Sequence, residues 1–426
     1  MRAVSFVSRL EFIFKGNVSK NAVCLGDVDN DTNSELAVGN LQGDLAVFKK
    51  EHKFPWAEAH DLGMVMVVII GDILNIGKNF TICISGEGLC TLFEIKNEYN
   101  ELERRSLLPF YSQKLPANTK VALLTDVDND GELELILGLT DHVLRTYRWV
   151  KLGQGPNDLS GKLVGLHKLE LADQIGSISL NPSNNGSPFI LVAQSGGTYM
   201  HFQCLLENDE IDENGPDSLK LTTPVHHALA SSRMRNPNIS SEILGGICGV
   251  RNGKPTDSLI AVATLDGTLM LVDGDEILWS FQVDHQLFAI TKLDLIGNGE
   301  EGVIACAWDG QTYMVNQEKQ SVRFQFDEPV SAFTSGKYSV SSGSSVPAIV
   351  YATFSDRVFL YSDIQLPSFS ICNFLETMEK QPDSSDLLTQ FPINREDKRH
   401  LRSLFSYCLY DFPNSNNEEE LKDIES

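Results

Sequence analysis

Asp27-Val28-Asp29-Asn30-Asp31-Thr32-Asn33-Ser34-Glu35-Leu36-Ala37-Val38-Gly39 places acidic residues at the first, third, fifth and ninth positions of a short loop. An apolar segment follows at once. Carboxylates on alternate positions of a tight loop converge and repel one another. A hard cation with oxygen ligands relieves that repulsion, as in the longer calcium loop of EF-hands. The pattern returns as Asp126-Val127-Asp128-Asn129-Asp130-Gly131-Glu132-Leu133-Glu134-Leu135, again followed by an apolar run through Gly138. Two copies with the same flanks are a repeat, and a repeat of this kind governs the whole chain.

Working outward, the apolar run after each loop meets a turn and then a second apolar run, the pattern of a β-hairpin. Seven such hairpins can be read. Their turns lie at Gln42-Gly43, Glu87-Gly88, Asp141-His142, Gly196-Gly197, Asp266-Gly267, Asp309-Gly310 and Ser355-Asp356. The closest turns are about 45 residues apart, which suits one four-stranded propeller blade per repeat. The wider gaps hold polar stretches at Asn97 to Arg105, Lys151 to Lys162 and Glu207 to Asn238, expected as surface loops. The last of these predicts a mobile insertion over about 205–241. The fold class expected is all-β, a seven-bladed β-propeller over residues 1–363.

A propeller must close, because open sheet edges invite aggregation. The last hairpin lacks a fourth strand after it, and the alternating segment Val4 to Phe14 lacks a neighbour in sequence. The expectation is that this N-terminal strand fills the outer place of the last blade. Beyond it, Ile371, Phe374, Leu375 and Met378 share one helical face, as do Leu401, Leu404, Phe405 and Cys408. Residues 364–410 are therefore expected to be a short α-helical C-terminal extension of two amphipathic helices. Residues 411–426 read as a disordered acidic tail.

Composition narrows the function. Of 426 residues, 42% are apolar, enough for a substantial core. A net charge of −24 leaves no basic face for nucleic acid and disfavours direct contact with an anionic membrane. Eight cysteines stand singly in apolar runs without a CxxC pair, so reduced buried thiols and a cytosolic setting are expected. Arg9 and Glu11 interrupt any signal-peptide core, and the most apolar stretch, Met64 to Ile70, is too short to span a bilayer. No direct membrane insertion is expected.

The acidic loop, strand, turn and strand together resemble the FG-GAP repeat of integrin α-chain propellers. The likeness is specific at Asp27 to Gly39 and Asp126 to Gly138. It is weaker at Gly71 to Gly77 and Leu293 to Gly299, where most ligand positions are lost. Leu25 to Asp31, Leu278 to Ala289 and Ala305 to Tyr313 extend the resemblance to nearly the whole chain, which is similar to the family of FG-GAP-repeat subunits of the KICSTOR complex. That resemblance implies a non-enzymatic scaffold paired with the kaptin propeller and a large scaffold subunit. It further implies a cytoplasmic protein, peripheral on the lysosome through its complex. There the complex holds the GATOR GTPase-activating complex and restrains TOR signalling when amino acids or glucose are scarce. The rival class is a calcium-dependent, integrin-like adhesive or ligand-binding propeller, against which the unpaired cysteines count.

Two readings of the acidic loops stand side by side. In one, structural calcium is held by Asp27, Asp29, Asp31 and Glu35 with the carbonyl of Asn33, and by Asp126, Asp128, Asp130 and Glu134 with the carbonyl of Glu132. In the other, the carboxylates accept backbone N–H bonds and hold the loop without metal. Elsewhere, Ala193-Gln194-Ser195-Gly196-Gly197 brushes the nucleophile-elbow pattern, but that motif needs a helix after the serine and a strand follows here. His226, His227 and His285 have no partner at ligand spacing, and Trp279 and Trp308 read as core. No catalytic residue and no enzyme are expected.

Overall fold

The computed structural model describes residues 2–95, 105–153, 159–183, 186–206, 219–229, 238–251, 253–341, 343–364 and 366. Each of the seven hairpins becomes the second and third strands of a separate antiparallel sheet. An inner strand precedes each pair: Val23–Gly26, Val65–Gly71, Thr119–Thr125, Ile178–Asn181, Ser241–Arg251, Leu287–Leu293 and Val330–Ser341. These seven inner strands contact one another in sequence order, and the last returns to the first. The result is a closed ring of seven blades, numbered here from the sheet that begins at Val23.

The core lies between blades rather than within them. Each hydrophobic cluster draws on neighbouring sheets: Leu135 and Tyr147 of blade 3 meet Phe80 and Leu92 of blade 2. Leu269 of blade 5 likewise meets Val303 of blade 6. The flat face of a twisted sheet is apolar on both sides here, which is why strands such as Glu35–Gly39 and Gly302–Ala307 are buried along their whole length. The inner strands enclose an axial channel of about 310 Å³ lined by Val68, Ile178, Ile243 and Ile290. Lys20, ahead of blade 1, crosses it to Glu242 of blade 5 at 2.5 Å.

The N-terminal segment closes the ring in the expected place. Arg9–Ile13 runs antiparallel to Arg357–Ser362 as the outer strand of blade 7, from Arg9 opposite Tyr361 to Ile13 opposite Arg357. Phe12 is fully buried at this joint, its ring 4.8 Å from Phe48 of blade 1 and 6.3 Å from Tyr338 of blade 7. The segment is not one continuous strand, however. Arg2–Ala3 pairs in parallel with Ser321–Gln325 at the edge of blade 6, and the residues between cross from one blade to the next with Val7 in solvent.

Of the long insertions, the described part of the third supplies two short strands, Leu219–Leu221 and Val225–His227, both paired with Thr198–Leu206. Arg105–Ser106, after the first, adds in parallel to Ala57–Ala59 of blade 1. The helices expected over 364–410 and the tail over 411–426 fall outside the described residues, apart from Ile364 and Leu366, which are buried beside blades 6 and 7.

Candidate functional site

The acidic loops join the first and second strands of blades 1 and 3, and the weaker copies do the same in blades 2 and 6. All four begin with an aspartate whose carboxylate accepts backbone N–H groups of its own loop. Asp27 takes those of Asp31 and Thr32, and Asp72 those of Ile76 and Gly77. Asp126 takes those of Asn129 and Gly131, and Asp294 those of Gly297 and Gly299. Three residues after that aspartate stands Asn30, Asn75, Asn129 or Gly297, each with positive φ, a conformation Asn and Gly reach most easily. Local side-chain bonds of this kind favour the tight turn of each loop.

The loops also latch one blade to the next. Asn30 and Asn79 exchange side-chain and backbone bonds between blades 1 and 2, and Asn75 accepts from the N–H of Leu133 in blade 3 at 2.7 Å. Ser187 of blade 4 donates to the carbonyl of Asp128 at 3.1 Å. On the other side, Asn33 accepts from Gly343 and the Ser34 N–H donates to Ser339, both in blade 7.

The remaining carboxylates converge as the sequence led one to expect. One oxygen from each of Asp27, Asp29, Asp31 and Glu35 lies within 4.8 Å of the others, and so do those of Asp126, Asp128 and Asp130. Yet a basic side chain that sequence reasoning missed enters each cluster. Lys49 Nζ lies 2.5 Å from Asp29, 2.8 Å from Asp31 and 3.5 Å from Glu35, with Trp56 beneath it at 5.1 Å. In blade 3 the Arg148 guanidinium reaches Asp128 at 3.0 Å, Asp130 at 2.8 Å, Glu134 at 2.5 Å and Glu132 at 3.7 Å. Glu134 and Arg148 are a cross-strand pair, and Leu36 opposite Phe48 puts Glu35 and Lys49 in the same relation.

Electrostatics follow this geometry. Burial raises the Glu35 carboxyl to about 8 against the pull of Lys49, and Glu134 to about 7. Burial opposes charge on Lys49, but hydrogen bonds to Asp29 and Asp31 outweigh it and hold the ammonium above its ordinary value. Arg148 is held up likewise, chiefly by Glu134. The two loops differ in completeness. The forked guanidinium reaches four carboxylates, whereas the smaller ammonium leaves Asp29 Oδ1 and Glu35 Oε1 buried without a hydrogen bond. Oxygen donors suit calcium, but a divalent ion would share each loop with a cation already bound to an oxygen of Asp29 at 2.5 Å or of Asp128 at 3.0 Å, and like charges that close repel. The Asn33 and Glu132 N–H groups donate to Asp31 and Asp130, tightening each loop on itself.

Other sequence candidates resolve plainly. Ser195 sits in a single turn between two strands and donates to Asp173 at 3.3 Å. Trp279 is buried, with its N–H on the Gln317 carbonyl at 3.0 Å. Trp308, expected in the core, is instead 37% exposed and stacked on Phe288 at 4.0 Å. The fold gives His227 partners that spacing could not show: Asp275 at 2.5 Å, His201 at 2.8 Å and a stacked Tyr199. Cys24, Cys83, Cys90, Cys204, Cys248 and Cys306 are free thiols, and burial pushes Cys90 and Cys204 up to about 12. Among the described residues, no helix is long and apolar enough to cross a membrane.

Residues 49–366 match the family model described as integrin-alpha FG-GAP repeat-containing protein 2. The mouse protein named KICSTOR complex protein ITFG2 is 39% identical over 428 residues, spanning 96% of each chain. The Bos taurus protein of the same name is 38% identical, covering 90% of this chain and 75% of that one. Among solved structures, BBS1N in complex with ARL6DN superposes with a TM-score of 0.58 at 12% identity, over 86% of this chain and 99% of that one. Chaetomium thermophilum Raptor gives 0.53 at 9% identity, over 84% and 28% respectively. At such identities the structural matches speak for the fold alone.

Proposed function

Because this chain belongs to the integrin-alpha FG-GAP repeat-containing protein 2 family, we propose that it is a non-enzymatic scaffold subunit of a KICSTOR complex. In this reading it sits beside a kaptin propeller and a large scaffold subunit. Through them the GATOR complex is held at the lysosome, and TOR signalling is restrained when amino acids or glucose run short. The observation that carries the proposal is similarity spread over 96% of both this chain and a relative named for that complex.

The physics of the ring is compatible with such work. Propeller blades are rigid packing units, and their loops and edges are left for partners. Here the loops of one face are tied blade to blade, which stiffens that face as a platform. Each acidic cluster is paired with a cation of its own chain, Lys49 or Arg148, an arrangement that suits a structural part.

Cells from which the gene has been removed test the proposal. On amino-acid withdrawal they should keep phosphorylating TOR substrates and lose GATOR from lysosomes, with both defects reversed by the full chain. Normal silencing of TOR in such cells would refute it.

A further inference from the structure

We infer that Lys49 and Arg148 are built-in replacements for the calcium ions of an FG-GAP propeller, so that this ring holds its acidic loops by tethered cations and folds without metal. This goes beyond the scaffold reading and does not depend on it.

The four related loops of the chain make the case by comparison with one another. At the last acidic position stand Glu35, Phe80, Glu134 and Gly302 in blades 1, 2, 3 and 6. Thr81 opposite Phe93 and Val303 opposite Val315 set the register in blades 2 and 6. The residues across the sheet from the four positions are therefore Lys49, Glu94, Arg148 and Asn316. A basic residue occurs where the carboxylates are retained, and a neutral or acidic one where they are lost. Lys49 and Arg148 each follow the first aspartate of their loop by twenty-two residues, at Asp27 and Asp126. The cation thus belongs to the repeat as an element of it and is not a chance surface neighbour.

Geometry gives the same answer. Both basic heads lie within hydrogen-bond distance of the third and fifth loop positions: Asp29 and Asp31 in blade 1, Asp128 and Asp130 in blade 3. Those side chains would coordinate an ion. Asp29, Glu35, Asp128 and Glu134 are nearly or fully enclosed, so no solvent counter-ion can substitute. Buried carboxylates need a positive partner, and here the chain supplies one covalently attached.

Thermal melting and native mass spectrometry of the purified full chain test this, with calcium chloride and EGTA as the probes. The wild type should melt at one temperature in 5 mM calcium and in EGTA, and should carry no calcium in its native mass. Lys49→Met and Arg148→Met each keep a long apolar stem but remove the charge. Each should melt about 5 °C lower in EGTA, because carboxylates are left buried and unpaired. Calcium should restore most of that loss, since the vacated oxygens then form an ordinary hard-cation site. A wild type that melts lower in EGTA, or that retains calcium in its native mass, overturns the inference. So do variants that fold but do not respond to calcium. Should a variant not fold, the two wild-type measurements still decide the matter.

Discussion

Phe12→Ala tests the joint on which the ring depends. The Phe12 side chain is completely enclosed, and its ring packs the outer strand of blade 7 against Phe48 of blade 1. Removing a buried phenylalanine ring costs about 3–5 kcal/mol, with the aromatic pairing to Phe48 and Tyr338 inside that figure. For a ring of this size, unfolding entropy near 60 °C is about 0.8 kcal/mol per degree, so the melting temperature should fall by about 5 °C. Circular dichroism melts of wild type, Phe12→Ala and Val7→Ala provide the assay. Val7 is 96% exposed, and its variant should match wild type within about 1 °C. If Phe12→Ala also melts within about 1 °C of wild type, the N-terminal strand is not the closure and the reasoning fails.

Further outcomes follow from other parts of the ring. Gly267 turns the blade 5 hairpin at φ +90°, and an added Cβ would lie 2.1 Å from the Val283 carbonyl oxygen. Gly267→Ala should therefore cost more than about 2 kcal/mol in urea unfolding, against about 1 kcal/mol for Gly274→Ala, where the space is open. Equal costs would contradict the close approach. Burial, and then the neighbouring His227, hold His201 below its ordinary value of 6.5 against the opposite pull of Asp275. The unfolded chain binds a proton there that the folded one resists, so stability should decline as pH falls below about 6.5. His201→Phe should flatten that decline, and an unchanged pH profile would dismiss His201 as its source. A double-mutant cycle of Lys20→Met and Glu242→Gln should give a coupling of about 1 kcal/mol across the channel, discounted for partial solvent access. A coupling of zero would show that the bridge does no stabilising there.

The fold was legible because hairpins are local. Turn residues such as Gln42-Gly43 and Asp309-Gly310, flanked by apolar runs, mark the second and third strands of each blade, and all seven pairs stand where the sequence puts them. The first segment was legible as a strand without a neighbour but not as two. Nothing local tells Arg2–Ala3 to join blade 6 while Arg9–Ile13 joins blade 7. Parallel additions such as Arg105–Ser106 on blade 1 leave no local sign either. At the acidic loops, the carboxylates were found because their spacing within the loop is a motif. Lys49 and Arg148 were missed because they lie just past the end of a later strand and within one, respectively, and enter only through sheet register. Their common distance from Asp27 and Asp126 was a usable signal, but the spacing of carboxylates within a loop carries no trace of a cation twenty-two residues on. The pair His227 and Asp275, forty-eight residues apart, had no sequence signal at all.

The central claim is that this ring works as one fixed part of a larger assembly. Tagging the chain at its own locus, purifying it under mild lysis and weighing the intact complexes by native mass spectrometry tests this most directly. The account predicts a single dominant species that contains one copy of this chain with the other KICSTOR subunits in whole-number ratio. A population that runs as the free 426-residue chain, or in a complex without those subunits, would contradict it.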